Sequence, residues 1–362
     1  LSAAYMERAV RLLELPDDLL NALHDGRLST GDLLLLTGCA EIDMIRAFTL
    51  AALVLFVLAS DSTGQEESPA LPHIQAAQAK LQAQDMKGAL ADLNKAVEAD
   101  AGSWRAYWFR GLVRQRLDDH QGAIADIDKV FGLEPPADNA WQFYKARALS
   151  KQVEGHYPAA EEDLTKAISL QKGDAELYVR RALVRDFQHN FEGAIEDYTT
   201  LSGLAPQYEE AYLGRGQAKA RLGDYAGAME DLDAAVYLAE TKSRVYSTRG
   251  RVKLAKGDVE DGLADFDKGV ELAADKSQAH FSRGLARFDT GDAKGARADF
   301  EEALKLDPKG LEYAALYRCL ARRSLGEAAE ARKEMKAFLD QREKKDDWFS
   351  KVARFLAGDL IE

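Results

Sequence analysis

An all-α fold of stacked antiparallel helix pairs is predicted here, on three observations. An aspartate recurs at positions 92, 126, 163, 197, 231, 265 and 299, at intervals of 34, 37, 34, 34, 34 and 34 residues. Arginine keeps the same step at Arg110, Arg147, Arg181, Arg215, Arg249 and Arg283. Three residues ahead of each stands Tyr107, Tyr144, Tyr178, Tyr212, Tyr246 or His280, and directly after each comes Gly111, Ala148, Ala182, Gly216, Gly250 or Gly284. The composition, rich in charge and alanine and with 8 prolines among 362 residues, favours helix. A fixed period of this length marks a repeat array, because one such unit cannot bury its apolar face alone and neighbours must stack.

Within a unit, two short amphipathic helices are readable. The first is typified by EEAYLGRGQAKARLG, the turn by GDY and the second by AGAMEDLDAAVYLA. Apolar and small residues return at helical spacing, and Gly-Asp punctuates the turn. The small residue after each arginine falls where two helices must approach closely. The second helices carry paired alanines: Ala89/Ala96, Ala160/Ala167, Ala228/Ala235 and Ala296/Ala303. Prolines close three units, at Pro135, Pro206 and Pro308, and the single longer interval places a three-residue insertion near PPADNA, 135–140.

These slots resemble the tetratricopeptide repeat (TPR): an aromatic in the first helix, Gly or Ala four residues on, Ala opening the second helix, another Ala seven later, then Pro. The resemblance covers about residues 70–340, with seven clear units and a degenerate eighth from Glu312 to Leu339. It implies a right-handed α-solenoid, a TPR superhelix of 7–8 repeats binding peptides or proteins in a concave groove lined by the first helices. The groove slots the family uses fall here on Arg105, Trp108, Leu112 and Gln115, then on Gln142, Lys145, Leu149 and Gln152. Glu176, Val179, Leu183 and Asp186 follow, then Glu210, Leu213, Gln217 and Ala220. Arg244, Ser247, Arg251 and Leu254 come next, and Gln278, Phe281, Leu285 and Phe288 end the series. The middle row is apolar. The Lys-and-Asn clamp that some members use for an acidic C-terminal carboxylate is not seen at these slots. The expected ligand is therefore an amphipathic helix or an extended apolar segment. The alternative is that several of these apolar residues pack only against the next repeat.

Each arginine of the series precedes an aspartate by sixteen residues, from Arg110/Asp126 to Arg283/Asp299. One reading is an electropositive spine for an anionic ligand. The other is a repeated ion pair within or between repeats, favoured because an acid matches every base. Each pair, if surface-exposed, would contribute ~0–1 kcal/mol.

Enzyme chemistry is not expected. Gly214-Arg215-Gly216 lacks the third glycine of a dinucleotide loop and no strand precedes it. GxSxG, Walker A, CxxC and paired-carboxylate motifs are absent, as is close metal-ligand spacing among the six histidines, so no cofactor and no metal are expected. A net charge of −13 argues against a broad nucleic-acid-binding face. Two cysteines, Cys39 and Cys319, are too few for a disulfide scaffold.

The first sixty residues stand apart. Tyr5, Val10, Leu12, Leu13 and Leu15 form a helical stripe, and S-x-x-Y-M-x-R-x-V-R-L-L-x-L-P followed by G-x-L-S-x-G resembles part of the chromosome-partitioning ParB family around its helix-turn-helix, over residues 1–31. In that family the serine-started helix reads DNA. After Gly31 the family continues His-Ala-Arg, whereas this chain has DLLLL. LTGC at 36–39 has the form of a lipobox, but only Leu33–Leu36 precede Cys39, so it reads as chance. MIRAFTLAALVLFVLAS, 44–60, carries an apolar run from Ala47 to Ala59. Such a run is shorter than the ~20 residues of a spanning helix and within the ~7–15 of a signal-peptide core. Arg46 supplies the basic start and Val57-Leu58-Ala59 the cleavage site. Export from Met44 to the periplasm or surface of a bacterium is the expectation, with residues 1–43 as upstream read-through or a truncated fusion. Two alternatives are a true fusion in which 47–59 is a buried helix or short anchor, and a cytosolic DNA-associated fusion whose repeats recruit a partner.

The expected organisation is thus 1–43, the ParB-like fragment or read-through; 44–60, the signal-like segment; 61–72, a linker; 73–340, the repeat array; and 341–362, a C-terminal capping helix. That last helix is read from Trp348, Phe349, Val352, Phe355 and Leu356 on one stripe, with a free partner-binding helix as its alternative. The expected function is a non-enzymatic protein-interaction scaffold with a protein or peptide partner.

Overall fold

A computed structural model describes residues 68–308, 312–342 and 348–357. The ParB-like stretch, Cys39 and the segment 44–60 lie outside the described residues. Two compact units divide the chain, one ending at Pro206 and the other starting at Gln207. The first unit holds four helix pairs: α1 Leu71–Gln82 with α2 Met86–Ala99, α3 Trp104–Arg116 with α4 His120–Gly132, α5 Ala140–Val153 with α6 Tyr157–Leu170, and α7 Ala175–Phe187 with α8 Phe191–Leu204. The second holds α9 Glu209–Arg221 with α10 Tyr225–Leu238, α11 Ser243–Lys256 with α12 Val259–Leu272, α13 Lys276–Asp289 with α14 Ala293–Leu306, α15 Glu312–Ser324 with α16 Ala328–Asp340, and then α17 Trp348–Ala357. The first helix of each pair is called A and the second B below. The fold class is the one the period predicts, and a 3₁₀ turn at Ala137–Asn139 holds the three-residue insertion.

Capping chemistry starts most B helices. Asp85, Asp119, Asn190, Asp224 and Asp292 each accept the N–H of a glycine three residues on, at 2.8, 2.9, 3.0, 2.9 and 2.8 Å. The glycine leaves room for this cap, since a Cβ at Gly227 would fall 2.3 Å from the Asp224 carboxylate as it is placed. Where Asp261 replaces that glycine, Asp258 makes no cap bond and pairs with Lys256 at 2.8 Å instead.

All eight paired alanines of the B helices are 0 % exposed. They let each A helix lie close, and the small residue after the arginine completes the contact. A Cβ on Gly284 would sit 2.7 Å from Phe300, and one on Gly250 2.7 Å from the Gly262 carbonyl. The core of the first unit is built on Phe143, 0 % exposed, with Trp104 and Trp108 edge-on at 5.8 and 4.8 Å. At the far end, Val352 and the buried Ala353 of α17 pack on Leu316, Cys319, Ala331 and Met335. No helix among the described residues is long and apolar enough to cross a membrane.

Candidate functional site

The A helices are held in register by a buried carboxylate in every clear pair. Asp126, Asp163, Asp197, Asp231, Asp265 and Asp299 are 2–6 % exposed. Each takes two parallel bonds from the arginine sixteen residues earlier. In the third pair, Arg147 Nε and Nη2 donate to Asp163 at 2.8 and 2.6 Å. A second cation, four residues after the arginine, closes the same carboxylate: Arg114, Lys151, Arg185, Lys219, Lys253 and Arg287, at 2.8, 2.8, 3.1, 2.8, 2.8 and 2.9 Å. The first pair has Ala76 in the arginine slot, and Lys80 alone from α1 holds Asp92 at 2.7 Å.

The remaining arginine nitrogen reaches back to the preceding B helix: Arg147 to Asp128 at 2.6 Å, Arg249 to Asp233 and Arg283 to Asp267 at 2.8 Å. Arg110 and Arg181 find Asn94 at 3.2 Å and Thr165 at 3.1 Å there. Tyr107, Tyr144, Tyr178, Tyr212 and Tyr246 each lie under their arginine, 5.3–5.9 Å from ring centroid to guanidinium. In the aromatic slot of the seventh pair, His280 Nδ1 instead meets Asp299 at 3.0 Å. Hydrogen bonds to Asp265 and Asp233 raise the pKa of Arg249 against desolvation. Burial pushes the Asp265 carboxyl upward, yet hydrogen bonds from Arg249 and Lys253 hold it below the ordinary value.

This geometry corrects the surface assumption behind the small expected pair energy. The arginines are 14–17 % exposed and fully engaged, so the series is structural register and no spine for a ligand. The pairing is both within and between repeats. The second cation was legible, because 80, 114, 151, 185, 219, 253 and 287 keep the same step. The reach-back acids were legible in DID, DLD and DFD.

The structure sorts the predicted groove slots of the A helices. Trp108 and Leu213 are 5 % and 1 % exposed, packed into cores. Gln115 Nε2 donates to the Ala146 carbonyl at 2.6 Å and Ser150 Oγ at 2.7 Å, joining α3 to α5. Lys145 pairs with Glu176, joining α5 to α7, and lies 5.7 Å from the Trp141 ring. Glu176 also binds Arg180, and those two cations depress its carboxyl despite burial. In the second unit Gln217 Nε2 donates to Thr248 Oγ1 at 3.3 Å, and Arg244 pairs with Glu210 at 2.8 Å. Phe281 and Phe288 stand edge-on to Tyr317 at 6.0 and 6.2 Å. Arg105 lies over Trp104 at 5.1 Å. Leu112, Leu149, Val179, Leu183 and Leu285 are half-buried, and Arg251 is exposed. No cluster of three or more His, Cys, Asp or Glu able to hold a metal occurs among the described residues. Cys319 is buried, and burial pushes its thiol up.

Helix pairs repeated in sequence, with alanine-lined contacts, define a helical repeat protein. The tetratricopeptide repeat profile matches residues 74–138, 179–243 and 247–310. The chain therefore belongs to the tetratricopeptide repeat family, whose members generally act as protein-interaction scaffolds. No curated protein sequence matches it. Among solved structures it is similar to a tetratricopeptide repeat protein from Parabacteroides merdae, at 15% identity over 70% of this chain and 98% of that one, TM-score 0.59. It is similar to yeast Tom70 at 15% identity over 82% of this chain and 65% of that one, TM-score 0.56. The C-terminal part of a TPR repeat-containing protein from Cytophaga hutchinsonii is 16% identical, covering 67% of this chain and 98% of that one, TM-score 0.51. At these identities the likeness shows the fold alone.

Proposed function

We propose that this chain is a non-enzymatic scaffold whose first unit receives an apolar segment of a protein partner on its A-helix face. The observation that carries the proposal is a row of half-buried leucines, Leu112, Leu149 and Leu183, one on each of α3, α5 and α7 at the same register, with Val179 beside them. Gln115 joins α3 to α5 and Lys145 joins α5 to α7, so the three leucines fall at one register on neighbouring helices. An amphipathic helix or an extended strand of alternate apolar residues fits such a row. Export from Met44 with cleavage near Ala59 belongs to the same reading, supported by the 13-residue apolar run behind Arg46.

The test is a peptide selected from a displayed library on the full chain. The double variant Leu149→Gln/Leu183→Gln should weaken that peptide about tenfold or more, since each leucine loses ~1 kcal/mol of apolar burial. The thermal midpoint of each variant checks that the stack is intact. Unchanged affinity in a folded variant contradicts the assignment.

A further inference from the structure

The A-to-B turns of the third and fourth pairs expose apolar side chains that the repeat does not require. Val153 and Phe187, the last residues of α5 and α7, are 58 % and 56 % exposed, the highest values among the described large apolar side chains of the first unit. They fill one slot, 34 residues apart. In the other clear pairs that slot carries Gln82, Arg116, Arg221, Ala255 or Asp289, so the stacking of pairs does not depend on an apolar residue there.

Ring contacts shape this edge. Tyr157, the first residue of α6, stacks on Phe187 with centroids 5.2 Å apart and planes 6° apart, tying the third pair to the fourth. In the next turn the exposed His189 stands edge-on to Phe191 at 5.7 Å. One face of the Phe187 ring is thus held, and much of the rest is left to solvent. Charge here is one-sided. Within 151–158 and 185–192 the lysine and the arginine, Lys151 and Arg185, hold the buried carboxylates of Asp163 and Asp197. The acids there, Glu154, Asp186 and Glu192, pair with no lysine or arginine among the described residues, and Glu154 accepts from Gln121 at 2.9 Å.

We propose that this turn edge, apart from the leucine row, receives an apolar segment of a partner protein that carries arginine. A guanidinium stacks on an exposed ring and forks onto a carboxylate, and Phe187 with Glu154 and Glu192 offers both. The arginine stem and an aliphatic neighbour would cover the rest of Phe187 and Val153. Charge selects this occupant over a second copy of the chain. Two such edges meeting face to face would set Glu154 and Glu192 against their own likes.

The experiment is fluorescence anisotropy of a labelled octapeptide of alternating arginine and leucine with the full chain. Saturable binding is expected, weakened about tenfold by Val153→Gln/Phe187→Gln and about threefold by Glu154→Gln/Glu192→Gln. Phe187→Trp keeps a stacking ring and should keep the affinity. Leu149→Gln/Leu183→Gln, in the leucine row, should bind as the parent does, so this result is readable whatever that row binds. Thermal midpoints check that each variant is folded. Absence of saturable binding overturns the proposal, as does affinity unchanged in Val153→Gln/Phe187→Gln or lost in Leu149→Gln/Leu183→Gln. Equal binding of an octapeptide of alternating glutamate and leucine also overturns it. So does dimerisation in sedimentation velocity that Val153→Gln/Phe187→Gln abolishes, in favour of a second copy.

Discussion

Arg147 donates to both oxygens of Asp163 at 2.8 and 2.6 Å and, with its third nitrogen, to Asp128 at 2.6 Å on the preceding pair. Asp163 is 4 % exposed, whereas the Asp128 side chain is 55 % exposed. The two acids should therefore differ sharply in cost. Asp163→Ala strips Lys151 of its carboxylate and leaves Arg147 with the exposed Asp128 alone, and should destabilise by ~2–4 kcal/mol. Asp128→Ala should cost ~0–1 kcal/mol. Urea denaturation of both variants checks the ranking, and equal costs would contradict it.

The glycines after the arginines separate in the same way. A Cβ at Gly284 would sit 2.7 Å from Phe300, but one at Gly111 meets its nearest neighbours at an ordinary 3.4 Å. Gly111→Ala should stabilise by ~0.5–1 kcal/mol, because alanine is the better helix former and the space exists. Gly284→Ala should destabilise by ~1–3 kcal/mol through overpacking. Thermal midpoints of the two variants should move in opposite directions.

Much of this was legible before any coordinates, and the reason is repetition. A period shared by Asp, Arg, Tyr and Ala identifies the pair, its turn and its tight contact, because each slot has one physical job. The groove slots were less legible. Position on an A helix places a side chain on the face, but whether it stays free depends on its neighbour in the next pair. Gln115 is taken by Ser150 and Lys145 by Glu176, contacts spanning 35 and 31 residues that no local pattern displays. Trp108 is drawn inward by Phe143, which sits on the next A helix.

Acid should weaken the stack. Burial raises the carboxyls of Asp265, Glu161 and Glu176, but their cationic partners outweigh it and leave all three below ordinary values. The unfolded chain, with carboxyls near ~4, therefore binds more protons than the folded one in acid. Their contribution is complete above the unfolded value and is lost as pH falls through the folded values. Stability should be level from about pH 6 to 8 and fall steadily below about pH 4.5. A midpoint that rises on acidification from pH 5 to 3 would contradict this.

Capping offers a paired control. Asp224 accepts from Gly227 at 2.9 Å, whereas Asp258, in the equivalent slot, makes no cap bond. Asp224→Ala should cost ~1 kcal/mol and Asp258→Ala only a few tenths. Hydrogen exchange at the first turns of α10 and α12 should report the difference locally.

The central claim is that the A-helix face of the first unit binds an apolar segment. Its most direct measurement is hydrogen exchange of the full chain with and without the library-selected peptide. The account predicts slowed exchange confined to the first unit and centred on α3, α5 and α7, absent in the Leu149→Gln/Leu183→Gln variant. Protection centred on the B helices, or protection that persists in the variant, would contradict it.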